Sequence, residues 1–305
     1  MDEQDRLAER FEAHRARLRA VAYRMLGSPS EADDAVQEAW LRLSRSGGGV
    51  ENLGGWLTTV VARVCLNMLR SRGSRREEPL DETPGVPGGV PGGARVPDPI
   101  VAPADGVGPE QESLLADGVG LALLVVLDTL SPAERLAFVL HDAFGLPFAD
   151  IAPIVGRSQT ATRQLASRAR RRVRGANAVA DADIASQWEV VDAFRAASRG
   201  GDFGALLAVL DPDVVLRADY GAAGASRALR GARAVAGQAL AFKRFAPFAR
   251  PALVNGAPGT VTVPPGGDPL AVMGFTVARS RIVEIDILAD PERLRRLDLA
   301  AVLDA

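Results

Sequence analysis

Apolar residues recur at helical spacing through the first part of the chain. From Leu18 to Leu26 they form one stripe, and two later stretches repeat intervals of three and four residues. Ser28–Glu31 places serine, proline and glutamate in the positions of a cap, a first turn and a capping box, which predicts a second helix. A third helix is predicted from about Leu53 to Arg72. The pattern therefore predicts an all-α module over residues 7–76, a bundle of three to four helices.

Residues 77–110 have a different composition. They contain eight prolines and seven glycines but no aromatic residue, so little in them is able to build a core. We expect a flexible linker. A coil of this length has an end-to-end distance on the order of 30 Å, which would tether two modules without fixing their geometry.

Helical periodicity returns over residues 111–175. The apolar run Leu121–Leu127 predicts a buried helix. Ser131–Glu134 then repeats the cap-and-box pattern, so another helix is expected to begin there.

The end of this module matches a helix-turn-helix. Ala152 is small where two helices would cross, Gly156 is able to adopt the turn conformation, and Ser158 is positioned to cap the second helix. Such a second helix lies in the DNA major groove with its early residues at base edges. The open alternative is a solvated, arginine-rich helix that only packs on its neighbour. The residues predicted to meet DNA, by base edge or phosphate, are Ser158, Gln159, Thr160, Arg163, Gln164, Arg168 and Arg171.

Residues 183–300 combine helix-like and strand-like sequence patterns, which predicts an α+β domain. Helical patterns over 184–198 and 203–210 precede several short apolar runs separated by Gly and Pro turns. A curved antiparallel sheet packed on helices is the expected arrangement. The predicted strands are Val214–Ala218, Ala252–Asn255, Thr260–Val263, Leu270–Val277 and Ile282–Leu288.

Charge is segregated, although the net charge is only −2 over 305 residues. Four acids lie between Glu31 and Glu38, five arginines between Arg63 and Arg76, and seven between Arg157 and Arg174. This segregation indicates surfaces with different partners. A single cysteine, Cys65, and an acidic N-terminus argue against export and favour the cytoplasm.

The series of motifs resembles the extracytoplasmic-function (ECF) branch of the sigma factor family over residues 7 to 175. The motifs are the acidic helix Asp33–Trp40, then Trp56-Leu57, an arginine-bearing helix, a linker, and a Ser-Pro-x-Glu-Arg helix-turn-helix at Ser131. The resemblance implies a protein that directs core RNA polymerase to promoters and is not itself an enzyme. It also implies no cofactor.

The resemblance assigns roles to matching positions. The helix that docks on the clamp of the polymerase large subunit corresponds to Asp33, Asp34, Gln37, Glu38 and Trp40. The surface that captures the melted −10 element corresponds to Asn52, Trp56, Arg63, Asn67 and Arg70. The helix from Ser158 corresponds to the reader of the −35 element. Taken alone, Trp56 also fits a core position.

The last module resembles the SnoaL-like domain, a cone-shaped α+β fold, and this places the chain in the sigma factor subgroup that appends such a domain and often regulates itself through it. The runs 251–256, 274–277, 281–286 and 290–294 carry the resemblance. Two motifs of the subgroup are altered, at residues 78–84 and 219–223. These departures weaken the expectation of a contact between linker and C-terminal domain.

A regulatory or catalytic pocket in the last module is a further expectation. Its candidate residues are Asp219, Tyr220, Glu284 and Asp286, and the open alternative is that these groups face solvent or another domain. Both histidines, His14 and His141, lie outside the module, and no metal-ligand spacing is present. The alternative functions are a ligand-responsive helix-turn-helix regulator and a cyclase-like enzyme. A small-molecule ligand and an anti-sigma protein stay open as partners.

Overall fold

The computed structural model describes residues 3–45, 51–75, 95–106, 120–176, 183–221 and 226–303. Their contacts divide the chain into two compact units. The first combines residues 3–45, 51–75 and 126–176, and the second combines 95–106, 120–125, 183–221 and 226–303. The two helical modules predicted separately from the sequence therefore share one unit. Within the described ranges, none of the helices combines the length and apolar character that a bilayer crossing requires.

Three helices form the first half of the first unit. They are α1 (Glu3–Leu26), α2 (Pro29–Arg45) and α3 (Leu53–Arg75). The apolar stripes predicted from the sequence are buried between them, with Tyr23, Val36 and Leu57 wholly inaccessible to solvent. The carbonyl of Ser28 accepts a hydrogen bond from Ala32 at 3.0 Å, and α2 begins at Pro29 as expected.

The second half of this unit carries the helix-turn-helix. Its helices are α4 (Leu121–Asp128), of which residues 121–125 belong to the second unit, α5 (Pro132–Phe138), α6 (Phe148–Val155) and α7 (Gln159–Ala176). A π-helical turn, Val139–Ala143, continues α5. The predicted capping box exists, because Ser131 Oγ accepts from Glu134 N at 3.3 Å and Glu134 Oε2 accepts from Ser131 N at 3.2 Å.

One arginine ties the two halves together. The side chain of Arg135 on α5 is 2% exposed, and its Nε donates to the carbonyl of Arg24 on α1 at 2.9 Å. Arg135 also pairs with Asp128. Nearby, the guanidinium of Arg24 lies 4.9 Å from the ring centre of Phe144. A buried charge needs such partners, and here they fix α5 against the end of α1.

The second unit is built on a seven-stranded sheet among its described residues, in the order β1-β4-β5-β6-β7-β2-β3. Strands β2 and β7 are parallel and every other neighbouring pair is antiparallel, so the sheet is mixed rather than purely antiparallel as expected. The strands are β1 (Val101–Pro103), β2 (Leu210–Asp219), β3 (Arg227–Arg230), β4 (Ala249–Val254), β5 (Ala257–Thr262), β6 (Ala271–Ala278) and β7 (Arg281–Leu288).

Helices complete this unit. They are α8 (Ile184–Gly200), α9 (Phe203–Val209), α10 (Ala232–Ala241), α11 (Pro291–Leu294) and α12 (Ala300–Leu303), with a 3-10 helix at Lys243–Phe248. Phe194 of α8 and Phe275 of β6 pack edge to face, 5.3 Å apart, within the core on one side of the sheet. A second core on the other side gathers Val101, Val254, Leu288 and neighbours.

Part of the predicted linker differs from expectation. Residues 76–94 and 107–110 lie outside the described residues, but residues 95–106 belong to the second unit. Within them β1 pairs with β4, Val101 opposite Val254. As an edge strand, β1 tolerates the proline at its end, since that position needs no ladder hydrogen bond.

Candidate functional site

Helix α7 presents the predicted DNA-reading residues to solvent. It follows a turn in which Gly156 has a φ of 74°, the left-handed region that favours glycine, and Ser158 Oγ caps it by accepting from Ala161 N at 3.2 Å. Thr162, Ala166 and Ala169 face inward and are fully buried. The opposite face is exposed and carries Gln159, Thr160, Arg163 and Gln164.

The arginines further along α7 fall into two groups. Arg168 Nε and Arg172 Nη1 each donate to Glu134 at 3.1 Å, and Arg170 Nε donates to Asp142 at 2.6 Å. These ion pairs orient α7 on α5 and on the π-helical turn. Arg171 is exposed and is the freer candidate for a phosphate. The ion pair of Arg168 within the protein has no counterpart in the sequence pattern.

Helix α3 carries the predicted −10 residues in one line. Trp56, Arg63, Asn67 and Arg70 follow at intervals of seven, four and three residues, which places them on a common face. Arg63, Asn67 and Arg70 are exposed, whereas Trp56 is half-buried. Trp56 is therefore not the fully enclosed core residue that the sequence alternative allowed.

Asn52 has a structural role at the start of α3. Its Oδ1 accepts from Gly55 N at 3.0 Å and its carbonyl accepts from Trp56 N at 3.0 Å, the geometry of a helix N-cap. Asn52 and Arg63 also line a cavity of about 640 Å³ whose wall includes His14 of α1 and Asp150 of α6. Two predicted −10 residues therefore share the wall of one cavity with Asp150, which belongs to the helix-turn-helix.

The acidic residues of α2 differ in their surroundings, because some of them take part in ion pairs. Asp34 and Gln37 are exposed. Asp33 pairs with Arg19 of α1, and Glu38 accepts from Arg42 at 2.9 Å on its own helix. Trp40 is half-buried, with its ring 5.1 Å from the ring of Phe11. The five predicted polymerase-binding residues thus lie on one helix, with Asp34 the most available of the carboxylates.

The second unit holds the end of the linker by a group that we call the linker latch: Val96, Asp98, Asp219 and Arg293. Asp219 Oδ2 accepts from Val96 N at 3.0 Å and from Arg293 Nη1 at 2.8 Å. Arg293 also pairs with Asp98 and donates to the carbonyl of Val96. Burial alone would raise the pKa of Asp219, but the backbone N–H groups and the Arg293 charge outweigh it and lower the pKa.

The linker latch is a contact between residues 96–98 of the linker and the C-terminal domain, whereas the altered motif at residues 78–84 lies outside the described residues. The contact exists despite the altered subgroup motifs, and Asn255 extends it by accepting from Ile100 N at 3.0 Å through its Oδ1. Asn255 has a positive φ of 51°, a conformation that asparagine tolerates better than most residues. Arg293 lies in one of the runs that carried the SnoaL-like resemblance, but its partners are distant in sequence and gave no local signal.

The predicted pocket residues do not share one pocket. Side chains alternate along a strand, so Tyr220 lines a cavity on one side of the sheet while Asp219 does not. Glu284 and Asp286 likewise stay out of that cavity, which is lined instead by Ile285 and Ile287. The expectation that all four polar residues line one pocket is therefore wrong.

Glu284 and Asp286 form a buried cluster with Arg217 of β2. Arg217 Nη1 lies 3.0 Å from Asp286 Oδ1 and 3.6 Å from Glu284 Oε2. Burial raises the pKa of Glu284 to about 7, the negative charge of Asp286 adds to this effect, and Arg217 opposes it. Burial also raises the pKa of Asp286. The carboxylates are thus neither solvent-facing nor in the cavity. Among the described residues, no group of three or more His, Cys, Asp or Glu is placed to hold a metal ion.

Comparisons with known proteins agree with this arrangement. Two family models match the chain: Sigma-70 region 2 over residues 10–75, and Sigma-70, region 4 over residues 120–173. The chain is 37% identical over 297 residues to the ECF RNA polymerase sigma factor SigJ of Mycobacterium tuberculosis, covering 93% of this chain and 91% of that protein. It is 41% identical over 215 residues to the probable ECF RNA polymerase sigma factor SigI of the same organism, covering 70% of each.

A solved structure extends the likeness to the whole fold. The crystal structure of the M. tuberculosis extracytoplasmic function sigma factor SigJ matches with a TM-score of 0.75 and 32% identity, covering 96% of this chain and 99% of that chain. The predicted fold class, two all-α sigma domains followed by an α+β SnoaL-like domain, is confirmed. The chain belongs to the ECF RNA polymerase sigma factors, a family of transcription initiation factors.

Proposed function

We propose that the chain directs core RNA polymerase by docking through α2 and by contacting promoter DNA through α3 and α7. The observation that carries this proposal is that two exposed polar faces stand on well-packed helices of one unit. Arg63, Asn67 and Arg70 face outward from α3, and Gln159 and Arg163 face outward from α7. Guanidinium and amide groups are the side chains best suited to phosphates and base edges.

The two faces suit different forms of DNA. The α3 face adds the half-buried ring of Trp56 to a basic line, a combination that suits unstacked bases of a single strand at the −10 element. The α7 face opens with small polar and amide groups and continues with arginines, as expected for a helix in the major groove of a −35 element. Region 2 and region 4 would thus divide promoter recognition between them.

The polymerase-docking role rests on the acids of α2. Asp34 and Gln37 are exposed, and Asp33 and Glu38 are held in fixed positions by Arg19 and Arg42. An ordered acidic helix is suited to a basic surface on the polymerase clamp, because complementary charge steers association and fixes register.

The C-terminal domain would modulate this activity through the linker latch. The latch fixes residues 96–100 on the second unit through Asp219, Arg293 and Asn255. With residues 96–100 held in this way, fewer residues of the chain stand between the second unit and the end of α3, so the position of the second unit would affect the DNA-binding regions. We place the protein in the cytoplasm, with polymerase and promoter DNA as partners and without an enzymatic activity of its own. The apolar cavity behind Tyr220 is the one observation that favours the alternative of a ligand-responsive regulator.

Run-off transcription tests the proposal. The full-length chain is added to sigma-free bacterial core polymerase with a pool of upstream DNA fragments, and transcripts are mapped. We expect transcripts that start at defined sites and depend on the chain. A chain that binds duplex DNA tightly by itself and yields no such transcript would instead support the ligand-responsive regulator.

A further inference from the structure

The π-helical turn Val139–Ala143 lies between α5 and the loop that leads into α6. Turns of this kind are rare in soluble proteins and often mark functional positions. Two successive residues of the turn, His141 and Asp142, make side-chain contacts outside it. These contacts show which parts of the helix-turn-helix the turn holds in place.

His141 holds the loop between the π-helical turn and α6. Its Nδ1 lies 2.8 Å from the carbonyl oxygen of Leu146. A carbonyl oxygen only accepts hydrogen bonds, so Nδ1 carries a proton and donates it. The backbone carbonyl of His141 accepts from Gly145 N at 3.1 Å, and Gly145 has a positive φ of 70°. The side chain and the backbone of His141 therefore both fix this loop.

Phe148, the first residue of α6, contacts both His141 and α7. Its half-buried ring is stacked on the imidazole ring of His141, with 3.8 Å between the ring centroids and 27° between the ring planes. The guanidinium carbon of Arg163 lies 5.8 Å from the centroid of the same Phe148 ring. A guanidinium within ~6 Å of an aromatic centroid is attracted by the ring. Phe148 thus links His141 to the exposed side chain of Arg163.

The π-helical turn also contacts a second arginine of α7. Asp142 Oδ1 accepts from Arg170 Nε at 2.6 Å. Arg163 and Arg170 are seven residues apart, which places them two turns apart on one face of the helix. The turn therefore orients both arginines, one through the ring of Phe148 and the other through a direct ion pair.

We propose that Phe148 and His141 are positioning residues, which set the direction of the Arg163 guanidinium for reading one base of the −35 element. The inference rests on the proposed function, in which Arg163 contacts DNA. A long side chain that is already held against a ring loses less rotamer freedom when it binds a base. Attraction to a ring face also uses none of the N–H donors that a guanine contact needs, whereas Glu134 occupies the Nε–H of Arg168.

The test measures base preference at the −35 element in complexes of core polymerase with the full-length chain. Arg163→Ala first identifies the base position at which preference depends on Arg163. At that position Phe148→Leu, which keeps an apolar side chain and removes the ring, should lower the preference about twofold to fivefold, as loss of one exposed cation–π contact would give. Phe148→Tyr keeps the ring and should retain the preference. Neither substitution removes a charge, so the salt dependence of binding should not change.

A double-mutant cycle separates positioning from packing. If Phe148 acts through Arg163, then Phe148→Leu should have no further effect on base preference in a chain that already carries Arg163→Ala. An equal effect with and without Arg163 would show that Phe148 only packs, and would overturn the proposal. His141→Gln keeps a hydrogen-bond donor and loses the stacked ring, so it should lower the preference in the same direction as Phe148→Leu. Circular dichroism checks that each variant is folded.

The outcomes distinguish this inference from the proposed function. Wild-type preference in folded Phe148→Leu and His141→Gln would overturn the positioning role and leave the promoter-directing function intact. Unchanged −35 preference in Arg163→Ala would overturn it as well, because Arg163 would then read no base. Absence of any transcript directed by the wild-type chain would contradict the proposed function, and this inference with it.

Discussion

Glu134 and Arg172 are joined across the helix-turn-helix by a charged hydrogen bond of 3.1 Å between Oε2 and Nη1. The same carboxylate closes the capping box with Ser131 and accepts from Arg168. Burial alone would raise the pKa of Glu134, but the hydrogen bonds from Ser131 and the charges of the two arginines outweigh it and lower the pKa. One carboxylate therefore defines the start of α5 and orients the helix that we propose reads DNA.

Removal of this carboxylate should destabilise the first unit. Glu134→Ala loses half of the capping box and two ion pairs, so we expect the free energy of unfolding to fall by about 1–2 kcal/mol. Urea titration of the full-length chain measures the change. Ser131→Ala, which removes only the capping hydroxyl, should cost less. An equal loss in the two variants would show that the arginine pairs add nothing to stability.

Arg163 and Arg171 should affect promoter DNA differently. Arg163 stands among the early exposed residues of α7, so Arg163→Ala should relax the −35 preference and cost about 1–3 kcal/mol at one base position. Arg171→Ala should weaken all sequences alike and reduce the slope of log affinity against log salt by about 1. Binding of polymerase–sigma complexes to promoter variants measures both. An unchanged base preference in Arg163→Ala would assign that residue to phosphate.

Loss of Arg293 should release the end of the linker. Arg293→Ala removes the partner of both Asp98 and Asp219, and we expect faster amide hydrogen exchange in peptides that cover residues 96–103. Arg295→Ala is the matched control, because Arg295 is exposed two residues further on. Equal exchange in the two variants would mean that Arg293 does not hold this segment, and that β1 pairing and the hydrogen bonds to Asp219 and Asn255 are sufficient.

The buried cluster around Arg217 predicts that stability depends on pH. Because the pKa of Glu284 rises to about 7 on folding, the folded chain holds a proton that the unfolded chain has released. Protonated Glu284 therefore contributes on the order of 3 kcal/mol to the free energy of unfolding. This contribution is full below about pH 4.5 and is lost as the pH rises to about 7. Trp188 is the one tryptophan of residues 183–305, so fluorescence reports unfolding of the second unit once Trp40 and Trp56 are replaced by phenylalanine.

Glu284→Gln isolates this effect, because the amide keeps the shape of the side chain and does not titrate. Between about pH 5 and pH 8 the variant should lose less stability than the wild type, although Asp286 still titrates in both. Parallel pH profiles of the two proteins would contradict the raised pKa of Glu284.

Local patterns were sufficient to predict most elements. Helix caps at Ser131 and Ser158, the turn at Gly156 and the strands around Ala252 and Ile285 depend on neighbours close in sequence, and the structure contains all of them. Strand β1 was missed because its sequence is a proline-rich segment like the rest of the linker. The strand with which it pairs, β4, lies about 150 residues away in the chain.

Side-chain partners were the second class of error. The sequence grouped Asp219 with Tyr220, although adjacent residues of a strand point to opposite faces. It also gave no sign that Arg168 pairs with Glu134, because such an ion pair depends on how two helices cross.

Affinity for sigma-free core polymerase tests the central claim most directly. The full-length chain is titrated against core enzyme alongside Asp34→Lys, which reverses an exposed charge on α2, and Glu9→Lys, which reverses one on α1. We predict tight binding by the wild type and by Glu9→Lys. In Asp34→Lys the affinity for core polymerase should fall by roughly tenfold or more, because like charges would face each other. Failure of the wild-type chain to bind core polymerase would contradict the proposed function, and full affinity in Asp34→Lys would contradict docking through α2.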